Sequence, residues 1–408
     1  MPSWRIVLLA GGCAVAGVAC ARSPRTSAVE LARLPWDSVV ARARGTSVTW
    51  RMWRGDPSIN AHVDSWIAPR LKAQYGIALT AVEGQGPEIV NQLVTEREAG
   101  ATGSTDLVWI NGETFGNLRK EQLLDGPWAG VLPNARYVDS ASPIVMRDFE
   151  QDPAGYESPW GQVQFVLVYD SVRTPDPPRS VAALGAWILG HPGRFTHDQQ
   201  FAGVTFLKIL LYALGGGVAR YQGGFDSLRY EEGSHQVFTW LDGHRAAFWR
   251  GGATYPSGGA DLFRLFANGE VDFSMANNQN DVITRIRQGL LPATARPLLL
   301  TDGTIANSHF VGIPFNAPNA AGAMVVADFL LSPEAQLEKQ QPDVWADGTV
   351  LDRRKLPPEW AERFGALDRD PRALSTDSLA KYARPEVAPR YHEQLQEDWR
   401  VQIRQGSE

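Results

Sequence analysis

Trp109, Asn111 and Glu113 bring a large aromatic face, an amide and a carboxylate together within five residues of sequence. Leu107, Val108, Trp109 and Ile110 form the short apolar run expected of a strand buried on both faces of a parallel sheet. Asn111-Gly112 is turn chemistry and Glu113 opens a helix-like segment, so the strand delivers the three side chains to its carboxyl end. In open α/β sheets ligands bind at that edge. The chemistry on offer is recognition: ring stacking, amide hydrogen bonds and pairing with a cation. A core Trp, a turn Asn and a Glu favoured by a helix dipole would read the same way.

Other residues fall at comparable positions, just past an expected strand or in a Gly/Pro-broken loop. They are Trp53 and Asp56 after the first strand, Trp160 in Pro-Trp-Gly, Trp249 and Tyr255 near a Gly-rich stretch, and Asn277, Asn278 and Asn307. Aromatics with carboxylates favour an organic cation; aromatics with amides suit a sugar equally. Trp160 is expected to face an open cleft.

Rival chemistry is poorly represented. The 7 histidines contain no His-Glu-x-x-His, Ser257 lacks the first Gly of a nucleophile elbow, and Gly84-Gln-Gly86 lacks the rest of a dinucleotide loop. No cofactor and no metal site is expected, and the chain is read as a binding protein rather than an enzyme. A secreted hydrolase and a solute-sensing lipoprotein feeding a signalling partner are the alternatives. A net charge of −6 without a basic run gives no support for nucleic-acid binding.

The elements that position these residues follow from pattern. The 408 residues, 44% hydrophobic, suffice for two lobes. The only cysteines are Cys13 and Cys20, so the body has neither disulfide nor thiolate metal site. Arg5 precedes an apolar stretch at 6–18, too short to span a membrane. It ends Gly17-Val18-Ala19-Cys20, which resembles the lipobox of bacterial lipoproteins; residues 1–20 are read as signal peptide with Cys20 acylated, an ordinary cleaved secretory signal being the alternative, and 21–46 as a tether with a weak helical patch at 31–43. Strands are expected at 47–53, 77–82 and 105–110, alternating with helices at 57–75 and 88–99. Asp56 caps the first helix, Pro69 kinks it and Gly76 ends it. A long strand at 163–169 follows Pro-Trp-Gly. The apolar run 201–214 is a core helix closed by three glycines, and strands recur at 269–278, 297–300 and 309–313.

Several segments, in order, carry a resemblance. They are Glu157-Ser-Pro-Trp-Gly-Gln-Val-Gln-Phe-Val-Leu-Val-Tyr169, residues 183–195 with Pro192-Gly-Arg-Phe, Phe266-Ala-Asn-Gly-Glu-Val-Asp-Phe-Ser-Met275, and Ser308-His-Phe-Val-Gly-Ile-Pro314 followed by Leu330-Leu-Ser-Pro-Glu-Ala-Gln336. Together they resemble the solute-binding proteins of bacterial ABC importers, of the type II two-lobe class. Gly55-Asp-Pro-Ser-Ile-Asn60, Ala68-Pro-Arg-Leu-Lys72 and Trp109-Ile-Asn-Gly-Glu113 resemble the YnjB-type subgroup. The resemblance implies an α/β periplasmic-binding-protein-like type II fold with a hinge of crossover strands. Lobe one would be 47–160 plus 306–345, lobe two 161–305, and 346–408 a C-terminal helical extension. It further implies a monomer in the periplasm or at the cell surface, held by lipid at Cys20. That monomer would capture a thiamine-like, polyamine or sugar solute and deliver it to membrane permease subunits.

Overall fold

The computed structural model describes residues 26–367 and 370–405. The expected signal segment and Cys20 lie outside them.

The strands are β1 (Ser47–Met52), β2 (Ala78–Glu83), β3 (Leu107–Ile110), β4 (Leu124–Asp125), β5 (Glu157–Gln164), β6 (Val166–Asp170), β7 (Phe273–Ala276), β8 (Ala295–Leu298), β9 (Thr304–Pro314) and β10 (Ala383–Arg384). They form two sheets. Lobe one holds the order β10-β9-β3-β1-β2, with β4 and β5 also paired to β9. Within it β1 runs parallel to β2 and β3, and β9 runs antiparallel to β3 and β5. Lobe two holds β7-β6-β8, antiparallel throughout.

Period-two alternation divides lobe one's core. Leu107 joins Trp50, Trp160 and Val311 on one face of the sheet, and Val108 and Ile110 join Phe115 and Phe310 on the other. The run 105–110 is therefore covered on both sides, as its unbroken hydrophobicity required.

Only Phe165 separates β5 of lobe one from β6 of lobe two, and its N–H donates to the Ile305 carbonyl at 2.8 Å as β9 returns alongside. The chain crosses a third time. Val350, Leu351 and Phe364 pack into lobe one, whereas Val387, Tyr391, Leu395 and Trp399 pack into lobe two. Residues 346–405 are thus built into both cores, not appended to them.

The expected tether is also corrected from residue 27 onward. Helices Ala28–Leu31 and Trp36–Ala43 bury Ala28, Leu31, Val39 and Ala43 in lobe one. Ser27 and Glu30 make a capping box, and the Ala28 N–H donates to Asp125 at 2.6 Å. The helix after β1 behaves as its sequence demands at both ends. Asp56 accepts from the Ser58 and Ile59 N–H groups with Pro57 at the first position, and Gly76 closes it with φ 70°. Pro69 does not end the helix, which runs on through Ala68–Tyr75. One π-turn, His62–Ile67, precedes it and absorbs the misfit of a residue that cannot donate.

Candidate functional site

The structure sorts the sequence-expected residues into three places. The first is an aromatic rim on lobe one. Trp109 is half-buried, edge-on to Trp160 at 4.9 Å and 4.9 Å from His309. Trp345, also half-buried, stacks on His309 at 5.5 Å and lies 5.9 Å from Trp109. Trp160 does not face an open cleft. It is 1% exposed and packs edge-on against Trp50 at 5.1 Å. A bulge between Pro159 and Gly161 turns its ring inward, and Gly161 lies so close to His309 and Asp347 that no Cβ would fit. Trp160 supports Trp109 from behind.

Behind the rim, Asp347 is fully buried between His309 Nε2 at 3.1 Å and Lys339 Nζ at 2.7 Å. Burial works against its charge, but the lysine and the histidine outweigh it and hold the carboxyl below its ordinary value. His62, stacked on Trp66, is pushed down to about 3 by burial, with the Lys339 charge second. Among the described residues no serine side chain bonds to this imidazole–carboxylate pair, and the imidazole packs against the Trp109 and Trp345 rings.

Lobe two meets this rim through a few single contacts. Asn278 caps the helix Gln279–Arg287, a helix the sequence reading missed, and its Nδ2 donates to the Ala346 carbonyl at 2.9 Å; Asn280 Nδ2 donates to the same oxygen at 2.8 Å. From that helix Arg285 pairs with Asp281 at 2.9 Å and reaches Asp56 of lobe one at 3.5 Å. Trp53 lies flat over Gly55, 39% exposed. The side-chain amides of Asn111 and Asn277 make no hydrogen bond among the described residues and remain available.

The second place is the gap between helix Glu113–Lys120 of lobe one and helix Pro389–Gln405, whose buried face belongs to lobe two. Glu113 has no hydrogen-bond partner among the described residues. Its carboxyl is pushed up by burial first and by the Glu393 charge second, with Arg400 offsetting in part. Tyr255 packs on His197 at 5.0 Å and on Trp399 at 5.3 Å. Trp249 leans on the lobe-two core beneath the Arg250 guanidinium at 4.2 Å, without a ring contact to any other candidate.

The third place holds Asn307 alone. It lines a cavity of about 590 Å³ between the lobes, with Arg147, Glu150, Gly223, Gly224 and Glu386. Asn307 Nδ2 donates to Glu386 at 2.8 Å, and Lys208 Nζ meets both Glu386 oxygens at 2.7 Å.

Trp345, Ala346, Arg285 and Glu393 were not singled out from sequence. Arg285 carried one usable signal, its i,i+4 relation to Asp281; Trp345 and Glu393 sit in a charged tail whose return to the cleft only the fold reveals.

The profile of the bacterial extracellular solute-binding protein family matches residues 66–365. The chain belongs to that family. It is 37% identical over 327 residues to protein YnjB of Escherichia coli K12, covering 79% of this chain and 84% of that protein. Among solved structures it resembles a putative spermidine/putrescine ABC transporter from Listeria monocytogenes, with a TM-score of 0.58, 16% identity and coverage of 87% and 99% of the two chains. It also resembles the periplasmic binding protein AfuA from Actinobacillus pleuropneumoniae, with a TM-score of 0.60, 13% identity and coverage of 88% and 99%. The two-lobe periplasmic-binding-protein architecture is common to these solved structures and to this chain. As a solute-binding protein of the ABC-importer kind, the chain works with membrane permease components. No described helix is long and apolar enough to cross a membrane.

Proposed function

We propose that this protein captures a small polar or cationic organic solute, thiamine-like, polyamine or sugar, between its two lobes and delivers it to an ABC permease. Hinged lobes suit that task because a ligand touching both is what holds them together. The observation that carries the cationic reading is Glu113. A half-buried carboxylate with no hydrogen-bond partner among the described residues, and under the repulsion of Glu393, is costly until a cation meets it. Trp109 and Trp345 offer ring faces for the apolar or cationic part of the solute, and Asn111 and Asn277 offer amides. Native mass spectrometry of gently purified protein tests this. A single co-purifying cationic small molecule supports it; a neutral sugar moves the assignment to the amides and rings, and a reproducibly empty protein that binds none of the three classes refutes it.

The same reading places the protein outside the cytoplasm, tethered by an acylated Cys20 as a monomer. Cys20→Ser should move it from the membrane to the soluble fraction. A wild type already soluble and starting after another residue contradicts the anchor.

A further inference from the structure

Residues 148–151 make a two-residue hairpin rooted in one lobe and gripping the other. Asp148 and Gln151 exchange both backbone hydrogen bonds, at 3.0 and 2.9 Å, with Phe149 and Glu150 at the tip. The root lies on lobe one. Gln151 Nε2 donates to the Gly112 carbonyl at 2.8 Å, and the Phe149 ring lies so close over Gly112 that no Cβ would fit there. The tip residues have φ 45° and 64°, left-handed positions that a tight hairpin usually fills with Asn and Gly. Here both tip side chains reach lobe two. The Phe149 ring packs 5.7 Å from His392 and 6.5 Å from Phe201, with Lys208 Nζ 4.9 Å away. Glu150 accepts from the Gly223 N–H at 3.0 Å and the Gly224 N–H at 3.3 Å.

The root carries a buried acid. Asp148 and, from β5, Glu157 are each 1% exposed, and among the described residues none of their four carboxylate oxygens has a hydrogen-bond partner. Burial pushes Asp148 up to about 8, the Gly112 N–H offsetting in part and the Glu386 charge adding to the rise. Burial first and the Asp148 charge second push Glu157 up, with Arg119 opposing. The other charged or titratable groups packed on the hairpin are Arg147, Lys208 and His392. Arg147 donates to the Glu150 carbonyl, Lys208 is paired with Glu386, and burial holds His392 well below its ordinary value. An ionised Asp148 would thus be a buried charge without a hydrogen bond, and leaving for water removes that cost.

We propose that the 148–151 hairpin is a proton-operated latch between the lobes: it stays seated while Asp148 holds a proton, and its departure gives that proton to water and frees Gly223 and Gly224 from Glu150. Raising the pH therefore favours release, because the unlatched carboxyl binds its proton less tightly than the seated one. The inference rests on the two-lobe fold and on no choice of solute.

The test is amide hydrogen exchange of the whole protein at pH 6 and pH 8, with each rate divided by the intrinsic rate at that pH. In wild type the Gly223 and Gly224 amides and residues 148–151 should lose protection together, on the order of 50-fold between the two pH values, as one proton released between an ordinary carboxyl and one near pH 8 requires. The core helix Phe201–Leu214 should keep its protection. Asp148→Asn, nearly isosteric, should hold both segments protected at both pH values. Glu150→Gly, which suits the positive φ and removes the grip, should expose Gly223 and Gly224 at pH 6 as much as at pH 8. The proposal is overturned if wild type and Asp148→Asn respond to pH alike. It is overturned equally if Gly223 and Gly224 open without 148–151, or if the core helix opens with them.

Discussion

Two fully buried lysines sit in different lobes of this protein. Lys339 bonds Asp347 at 2.7 Å, with the Trp345 ring 5.6 Å away, and its partner is eight residues on in the same lobe. Lys208 bonds Glu386 at 2.7 Å, with Phe149 and Phe201 rings at 4.9 and 5.1 Å, and its partner is 178 residues away. Burial lowers both lysines from their ordinary value, with the carboxylate as the opposing influence. Chemically the pairs are alike; in connectivity they are not. Lys339–Asp347, reinforced by His309, fixes the aromatic rim inside lobe one. Lys208–Glu386, reinforced among the described residues by the Asn307 amide, joins lobe two to a crossover strand and to the returning C-terminal segment. Their positions separate rim and hinge, so that one can be perturbed without the other.

The largest effects should come from breaking these pairs. Lys208→Ala leaves Glu386 buried against an amide and should cost about 3–5 kcal/mol in chemical denaturation. Lys339→Ala leaves Asp347 with its His309 contact at 3.1 Å and should cost less, roughly 1–3 kcal/mol. Equal losses would show that connectivity and the second partner make no difference.

The rim can be divided in the same way. Trp160→Ala opens a core void and should cost about 3–5 kcal/mol of stability. Trp109→Ala should cost much less stability but weaken solute binding on the order of 30-fold, the worth of about 2 kcal/mol from one desolvated ring. If Trp160→Ala spares stability, the ring is not the support that its burial indicates.

A smaller effect of opposite sign is expected at Asp148, buried beside the cavity loop. Among the described residues neither of its oxygens meets a donor in hydrogen-bonding geometry, nor do those of buried Glu157. Burial pushes Asp148 up to about 8, the Gly112 N–H offsetting in part, and pushes Glu157 up as well. The folded state therefore keeps a proton that the unfolded chain has lost between about pH 4 and pH 8, and stability should fall as pH rises through that window. Asp148→Asn removes the penalty and should raise stability at pH 8 by roughly 1–3 kcal/mol while changing little near pH 4. Thermal melts at the two pH values check it; a variant less stable at both would mean that the carboxyl has a partner it needs.

What was legible in the sequence had local causes. The helix Phe201–Leu214 was readable to the residue because an unbroken apolar run is closed by three glycines, and the Asp56–Pro57 start because a capping side chain and a fixed φ act within two residues. What was missed depended on distant partners. Pro-Trp-Gly at 159–161 reads as a break, yet β9 accommodates it through a bulge and Trp160 turns inward. Helix Gln279–Arg287 is short and polar except for Val282, Ile283 and Ile286, so its periodicity is weak. Helices in 27–43 looked like tether because the surface that buries them comes from the helix Ala320–Leu330, nearly 300 residues later. In the candidate site, Trp109, Asn111, Glu113 and the amide end of β7 follow from the rule that sheets present ligands at strand ends. Trp345, Arg285 and Glu393 follow from no local rule.

If a cation binds between the lobes against Glu113, as proposed, its charge pairs with that carboxylate. The direct measurement is calorimetric titration of wild type and Glu113→Gln with the solute recovered from the native protein, at pH 4.5, the ordinary value of the carboxyl, and at pH 8. Glu113→Gln should weaken binding at least tenfold with no loss of thermal stability. Wild-type affinity should rise with pH, because a carboxyl raised by burial must ionise to meet the cation. Unchanged affinity in the variant, with no pH dependence in the wild type, would contradict the account.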